Sequence, residues 1–358
     1  MSATAGLTAM RCRLLTLAHA PCVCFGHFAE HGERLGEQGL LLLVASQSTH
    51  ALVRPLAMEH IDDVRIGISG WRYKGWRGDF YPEGLKQAAE LQFASRLFQT
   101  IEVNGTHYSL QSLDSWRHWY ADTPPDFVFG IKGARYLTHL LRFRDDSARA
   151  GCANFFAQGL LALNEKLGPI LWQFPPSFSF EPDGMERFLR LLPRDTSAAL
   201  SLARHHDERV KTPYLEICHK HRLRHAVEIR HASFLDPAFV ALLRRYDVAL
   251  VVSDSTESWP LAEDLTADFV YIRLHGTESR YAGSYSDVEL DRWAARIEAW
   301  RHGSQPADAR LIAANERPPR RKRRDVYCYF DNDVKARAPF DAQRLMKRLG
   351  LQRAGSAA

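Results

Sequence analysis

Between positions 65 and 330 of this chain, eight short apolar runs alternate with stretches of helical period, and that alternation limits the fold more than any other feature. The runs are RIGIS (65–69), TIEVN (100–104), FVFGIK (127–132), ILWQF (170–174), AVEIR (226–230), ALVVS (249–253), FVYIRL (269–274) and VYCYF (326–330). Strand and helix in strict alternation build βα units around a parallel sheet. Eight strands with seven connecting helical segments and a final helix predict an α/β fold, a single (β/α)8 barrel. Such a barrel takes ~250 residues. The rival is an open doubly wound sheet, which places a Gly-rich phosphate turn after its first strand. Here the turn is Gly70-Trp71-Arg72-Tyr73, with no G-x-G-x-x-G.

The intervening segments carry helix signals of their own. Leu85, Ala89, Phe93 and Leu97 form an i, i+4 stripe, and Met185, Phe188, Leu189 and Leu192 repeat the period. Asp236 before Pro237 reads as a cap, followed by Phe239, Leu242, Leu243 and Tyr246 on one face. Ser286 and Glu289 have capping-box spacing ahead of Leu290, Trp293, Ile297 and Trp300. Leu345, Met346 and Leu349 mark a last helix. The long stretch 193–224 predicts an extra helix rich in His and Arg. The nearby His205, His206, His219, His221 and His225 read as a solvated surface.

The first 57 residues differ in texture. Arg11 and Arg13 before the apolar run 14–18 resemble a signal peptide only faintly, because the run is short and no small-residue cleavage site follows. Residues 1–57 therefore read as a poorly ordered extension, or as sequence upstream of a start at Met58, and 58–358 as the barrel. No stretch approaches the ~20 apolar residues of a membrane-spanning helix. The six cysteines, Cys12, Cys22, Cys24, Cys152, Cys218 and Cys328, include no C-x-x-C pair. Scattered in this way they read as reduced thiols, and the expected location is the cytoplasm.

The net charge of +5 is local. The run NERPPRRKRR (315–324) holds six basic residues and one acidic one, and the remainder of the chain is close to neutral. Lying between the helix that ends near Arg301 and the last strand, this run belongs to the N-terminal face of a barrel. It reads as a mobile solvated loop, with phosphate contacts to nucleic acid as the alternative.

Barrel chemistry sits at the C-terminal strand ends. Polar residues recur there: Glu102 and Asn104, Lys132, Gln173, Glu228, Arg230 and His231, Asp254, Arg273 and His275, and Asn332. Residues two apart on a strand share a face, so Glu102 pairs with Asn104, Glu228 with Arg230, and Arg273 with His275. Burying such charges costs several kcal/mol each unless they are paired, which favours use on a ligand over a purely structural ion network. Glu102, Lys132, Glu228 and Asp254 are the candidate catalytic groups. Asn104, His139, Gln173, Arg230, His231, Arg273, His275, Tyr281 and Asn332 are the candidate binding groups. Lys132, Arg230 and Arg273 suit an anionic ligand, while Glu102 and Glu228 suit acid–base roles. Trp71, Tyr73, Trp76, Tyr108, Tyr281 and Tyr285 can line a pocket for a sugar or base.

The leading expectation is an enzyme acting on an anionic or phosphorylated small molecule, without a cofactor. The alternatives are a nucleic-acid-binding or processing barrel and a metal-dependent hydrolase or isomerase. For the metal, Glu102, His139, Glu228, His231, Asp254 and His275 supply N and O donors, but no H-E-x-x-H motif occurs and no two of these donors form an H-x-H pair. A G-x-S-x-G elbow and a P-loop are both missing from the sequence. Cys328, within a strand, reads as packing. Oligomeric state is not legible here.

The ordered motifs resemble the YecE-like family, a domain of unknown function (DUF72). They are IGISGW (66–71), FYP (80–82), TIEVNGTHY (100–108), IK (131–132), THL (138–140), LGPILWQFPPSF (167–178), AVEIRHASF (226–234), FVYIRLHG (269–276), YAGSYS (281–286) and VYCYFDND (326–333). The resemblance runs from about Arg65 to the C-terminus. It implies a TIM barrel and brings no settled activity. The family's usual polar positions correspond here to the strand-end groups above together with His139. Gly105 and His107 depart from it, where Ser and Phe are more common, and so does Asp331, where Asn is common. The first 57 residues and the basic run have no counterpart in it.

Overall fold

The computed structural model describes residues 64–142, 147–256, 259–278 and 281–352. The expected extension 1–57 lies outside the described residues, and so does the boundary drawn at 57/58.

Eight parallel strands close on one another in chain order: β1 Val64–Ser69, β2 Thr100–Val103, β3 Val128–Lys132, β4 Leu167–Gln173, β5 His225–Glu228, β6 Ala249–Asp254, β7 Phe269–Leu274 and β8 Asp325–Phe330, with β8 pairing back to β1. The predicted strand set is present. β4 starts earlier than expected because Gly168-Pro169 stays in the strand, and an irregularity between Phe129 and Ile131 absorbs the shift.

The helices wrap the outside: α1 Glu90–Leu97, α2 Gly105–Tyr108, α3 Leu113–Asp122, α4 Ser147–Ala157, α5 Pro182–Leu191, α6 Thr196–Ala203, α7 Pro237–Arg245, α8 Asp287–Arg301 and α9 Arg337–Arg348. The predicted caps form. Asp236 Oδ1 accepts from Ala238 N at 2.8 Å. Ser286 and Glu289 make the reciprocal box. The extra helix expected in 193–224 is α6, but it is Ala- and Leu-rich, and the His and Arg residues follow it. His225 corrects the solvated-surface reading. It is fully buried at the head of β5, accepting from Trp172 Nε1 and donating through Nε2 to Pro193 O at 2.7 Å.

Among the described residues six of the seven connections carry helices, and the described part of the β6–β7 connection has no regular element. There Glu263 and Asp264, both buried, accept from the backbone N–H groups of Arg310, Ile312 and Ala313. These bonds tie the β6–β7 connection to the loop between α8 and β8 and satisfy that loop's backbone donors.

The barrel interior is a filled core. Leu171, Ala226, Val251, Phe269, Tyr271, Tyr327 and Tyr329 occupy its middle and lower layers. Gly130 makes room for two of them, since a Cβ there would meet Tyr329 Oη at 2.6 Å and Tyr271 Oη at 3.2 Å. Tyr271 then reaches up to Glu102 Oε2 at 2.5 Å, and Tyr329 meets Thr100 Oγ1 at 2.9 Å. Above these tyrosines every inward position turns polar. Among the described residues no helix is long and apolar enough to cross a membrane.

Candidate functional site

The inward phase of seven strands ends in a polar layer: Ser69, Glu102, Lys132, Gln173, Glu228, Ser253 and Arg273. Arg230, His275 and Asp331 lie one step further out on the same phase. At its centre is Arg273, completely buried. Its Nη1 donates to Glu228 Oε2 at 2.7 Å, and its Nη2 to Asp331 Oδ2 at 2.8 Å and Glu102 Oε1 at 3.0 Å. Ser69 Oγ donates to the same Glu102 oxygen at 2.5 Å. Arg230 Nε donates to Glu228 Oε1 at 2.8 Å, and its guanidinium lies 3.6 Å over the Trp259 ring. Trp259 and Tyr281 flank His275, with ring centroids at 5.6 and 5.8 Å.

Charge and burial set the protonation states. Burial pushes the Glu228 carboxyl up, but Arg230, Arg273 and His275 together hold it well below the usual range. Asp331 is held at about 2, burial being outweighed by Arg273 and His275. His275 Nδ1 is 3.0 Å from Asp331 Oδ2 but outside hydrogen-bonding geometry. Burial lowers its pKa and leaves the imidazole neutral at physiological pH.

Lys132 differs from all of these. It is buried at the end of β3, and among the described residues its ammonium has neither a hydrogen bond nor an ion pair. Burial, and then the Arg273 charge, lower its pKa to about 8. Thr106 holds it from behind, donating to the Lys132 carbonyl at 2.6 Å.

The structure therefore brings together Glu102, Lys132, Glu228, Arg230, Arg273 and His275, with Gln173 and Tyr281 beside them. His139 lies on a π-helical turn, Tyr136–Leu141, half-buried against Thr138 and His107. Four expected residues face elsewhere. Asp254 falls on the outward phase of β6, where Tyr285 and Trp293 donate to it, and burial raises its pKa. Asn332 is buried as a strut, donating to Gly283 O and Asp341 Oδ2 at 2.9 Å. His231 caps the short turn Ala232–Phe234 through Ser233. Asn104 lines a cavity of about 280 Å³ beside Trp71, Tyr73 and Tyr108, its Oδ1 unpartnered. Of the aromatic candidates, Trp71, Trp76 and Tyr285 are core.

Three groups of the cluster went unassigned in the sequence: Ser69, Tyr271 and Asp331. Each lies in the inward phase of its strand, so counting by twos from Arg273 and its partner Tyr329 would have found them. The basic run sits on the N-terminal side, ahead of β8, as expected. Its last member is no solvated side chain. Arg324 is buried and donates to the carbonyls of Ala267, Gly303 and Pro319. Among the described residues no three His, Cys, Asp or Glu side chains converge to hold a metal, since the mouth carboxylates turn to Arg273.

The family model "Protein of unknown function DUF72" matches residues 65–358, the stretch that builds this barrel and its mouth. The chain belongs to the DUF72 family. A DUF72 family protein from Thermotoga maritima MSB8 is 26% identical, with a TM-score of 0.60 over 80% of this chain and 99% of its own. A DUF72 family protein from Enterococcus faecalis V583, 14% identical, shares the fold with a TM-score of 0.58 over 81% of this chain and 97% of its own. The UPF0759 protein YunF of Bacillus subtilis (strain 168) is 26% identical over 125 residues, 34% of this chain and 43% of that protein. The match thus spans less than half of that curated relative.

Proposed function

We propose that this DUF72 barrel is an enzyme that works by acid–base chemistry at its C-terminal mouth on an anionic or phosphorylated small molecule, with Lys132 moving the proton. The observation that carries this reading is the contrast between Lys132 and its neighbours. Arg273 and Arg230 are committed to carboxylates, and two of these, Glu228 and Asp331, are held ionised. A carboxylate locked between guanidiniums is a poor proton acceptor, so the acid–base role expected of Glu102 and Glu228 passes to another group. Among the described residues Lys132 has no partner to give up, and its pKa of about 8 lies near working pH, where a proton-transfer group is most effective. Burial keeps bulk water from competing for the amine. Glu102, Glu228 and Asp331 instead fix Arg273, and through its charge they set the basicity of Lys132.

The test has two parts. First, the Lys132 amine is labelled by 13C reductive methylation and titrated by NMR; the expected midpoint is near 8, and an ordinary lysine value would end the proposal. Second, anionic and phosphorylated compounds are screened for turnover with native protein and with Lys132→Met. Turnover should rise with pH through about 8 and fall by roughly 10²–10⁴ in K132M. A rate unchanged in K132M would remove Lys132 from the mechanism.

A further inference from the structure

A cavity of about 460 Å³ opens beside the mouth, between the loops that follow β2 and β3. Its wall is unusual for the surface of this molecule. Eight large hydrophobic side chains are exposed among the described residues, and four of them, Tyr108, Leu110, Tyr136 and Leu140, line this one cavity. Contiguous exposed apolar surface of this kind marks a ligand or interaction site. The π-helical turn Tyr136–Leu141 supplies two of the four. Such turns are rare and recur at functional sites. Gly151 leaves the wall open, because a Cβ there would stand 2.7 Å from Leu137 Cδ2 and 3.4 Å from the Tyr136 ring.

Two polar groups face the same space. His107 Nδ1 lies 2.9 Å from the Gly133 carbonyl, and burial keeps the imidazole neutral, with its pKa lowered to about 3. That bond fixes the tautomer with hydrogen on Nδ1 and leaves Nε2 as an acceptor. Among the described residues Nε2 has no partner, and it is not a sealed atom, so it opens at the cavity edge. Arg135 makes no hydrogen bond or ion pair among the described residues, whereas Arg209, the other cation on the wall, is paired with Asp207 at 3.0 Å.

We infer that this cavity takes a planar heteroaromatic ring carrying an anionic group, the ring against Tyr108 and Tyr136, an N–H of the ring or of its amino substituent donated to His107 Nε2, and the anion on Arg135. Base-sized rings stack on exposed aromatics without further specificity, the imidazole acceptor selects an N–H-bearing ring, and a free guanidinium grips phosphate or carboxylate. The inference deepens the reading above by naming the substrate class, and rests on it only for turnover at Lys132, which ends the same strand that feeds this loop.

Binding is measured by calorimetry with AMP, adenosine, phenyl phosphate and inorganic phosphate. AMP should bind saturably, and better than adenosine or phosphate alone. Arg135→Ala should weaken AMP on the order of tenfold and leave adenosine unchanged. Tyr136→Ala should weaken both. His107→Phe should weaken AMP but not phenyl phosphate, which lacks an N–H donor. K132M should still bind AMP, so a dead Lys132 chemistry and an empty cavity give different results. The inference is overturned by three outcomes: no saturable AMP binding to native protein, AMP affinity unchanged in both R135A and Y136A, or inorganic phosphate binding as tightly as AMP. Circular dichroism of each variant shows whether it folds, and R135A, an exposed change, keeps the test open if Y136A does not.

Discussion

Two clusters of charge sit at opposite ends of this barrel, built from the same inventory. At the C-terminal end, Arg230 and Arg273 face Glu102, Glu228 and Asp331. At the N-terminal end, Arg222 and Arg224 face Asp247, Asp268 and Asp325. The lower set stands at the edge of the barrel, with Arg222 47% exposed. It ties together the starts of β5 to β8 and has no cation left over. The upper set is sealed, with Arg273 at 0%. Among the described residues it includes a Lys132 with neither hydrogen bond nor ion pair, and a His275 set against Asp331 at 3.0 Å. A network that only fixes strand register resembles the lower one. A buried ammonium with no ion pair bears a cost that fixing strand register does not require, and that difference supports the functional reading of the upper set.

The largest expected effect comes from removing each central cation. Arg273→Met strands three buried carboxylates and should cost about 3–5 kcal/mol in urea unfolding. Arg222→Met breaks half-exposed pairs and should cost under about 1 kcal/mol. Equal costs would erase the distinction.

The next effect is a pH dependence. In the folded protein Lys132 has a pKa of about 8 against 10.5 for the free side chain, so the native state binds fewer protons than the unfolded chain between those values. Stability contributed by this site therefore rises as pH climbs from about 8 to 10.5, and below pH 8 the full penalty of a buried ammonium applies. K132M should be the more stable protein at pH 7, by about 3 kcal/mol, and the gap should close toward pH 10.5. Taking the difference between the two proteins cancels every other titrating group. A pH-independent gap would mean that Lys132 is not desolvated as drawn.

How much of this was legible in the sequence depends on strand phase. Glu102, Glu228 and Arg273 were found because each is a charged residue near the C-terminal end of an otherwise apolar strand. Asp254 was chosen and Ser253 passed over because the ALVV that precedes them is apolar throughout. A strand buried on both faces carries no alternation from which to read a phase. Asn332 was preferred to Asp331 for a related reason: both lie past the end of β8, where only the register with Tyr329 and Arg273 decides which turns inward. The ion pairs themselves were out of reach, because Arg273 meets Glu102 across 171 positions of sequence. The lack of a helix in the described part of the β6–β7 connection was equally hidden, since Glu263 and Asp264 tie it to the loop ahead of β8 through contacts that no local period announces.

The basic run divides by the same criterion of burial. Arg324→Ala leaves the carbonyls of Ala267, Gly303 and Pro319 without their donor in a buried setting and should cost about 1–3 kcal/mol. Replacing the exposed Arg320, Arg321, Lys322 and Arg323 together by Ser should stay within about 0.5 kcal/mol. Thermal unfolding of the two variants checks this. Similar losses would mean that the whole run, and not its last residue, holds the loop.

The smallest effect is also the cleanest separation of the two ends. At 1 M salt the Debye length is about 3 Å, so exposed pairs are screened and sealed ones are not. The penalty of R222M should shrink toward zero as NaCl is raised to 1 M, because ions in solution replace the lost counter-charge around Asp247 and Asp268. The penalty of R273M should stay where it was, since no ion reaches carboxylates that are 0–10% exposed. Unfolding of native and variant proteins at low and high salt gives the answer as a difference of differences. If salt rescued R273M as well, water and ions would have access to the mouth carboxylates. The burial that lowers the Lys132 pKa, and with it the case for proton transfer there, would then be lost.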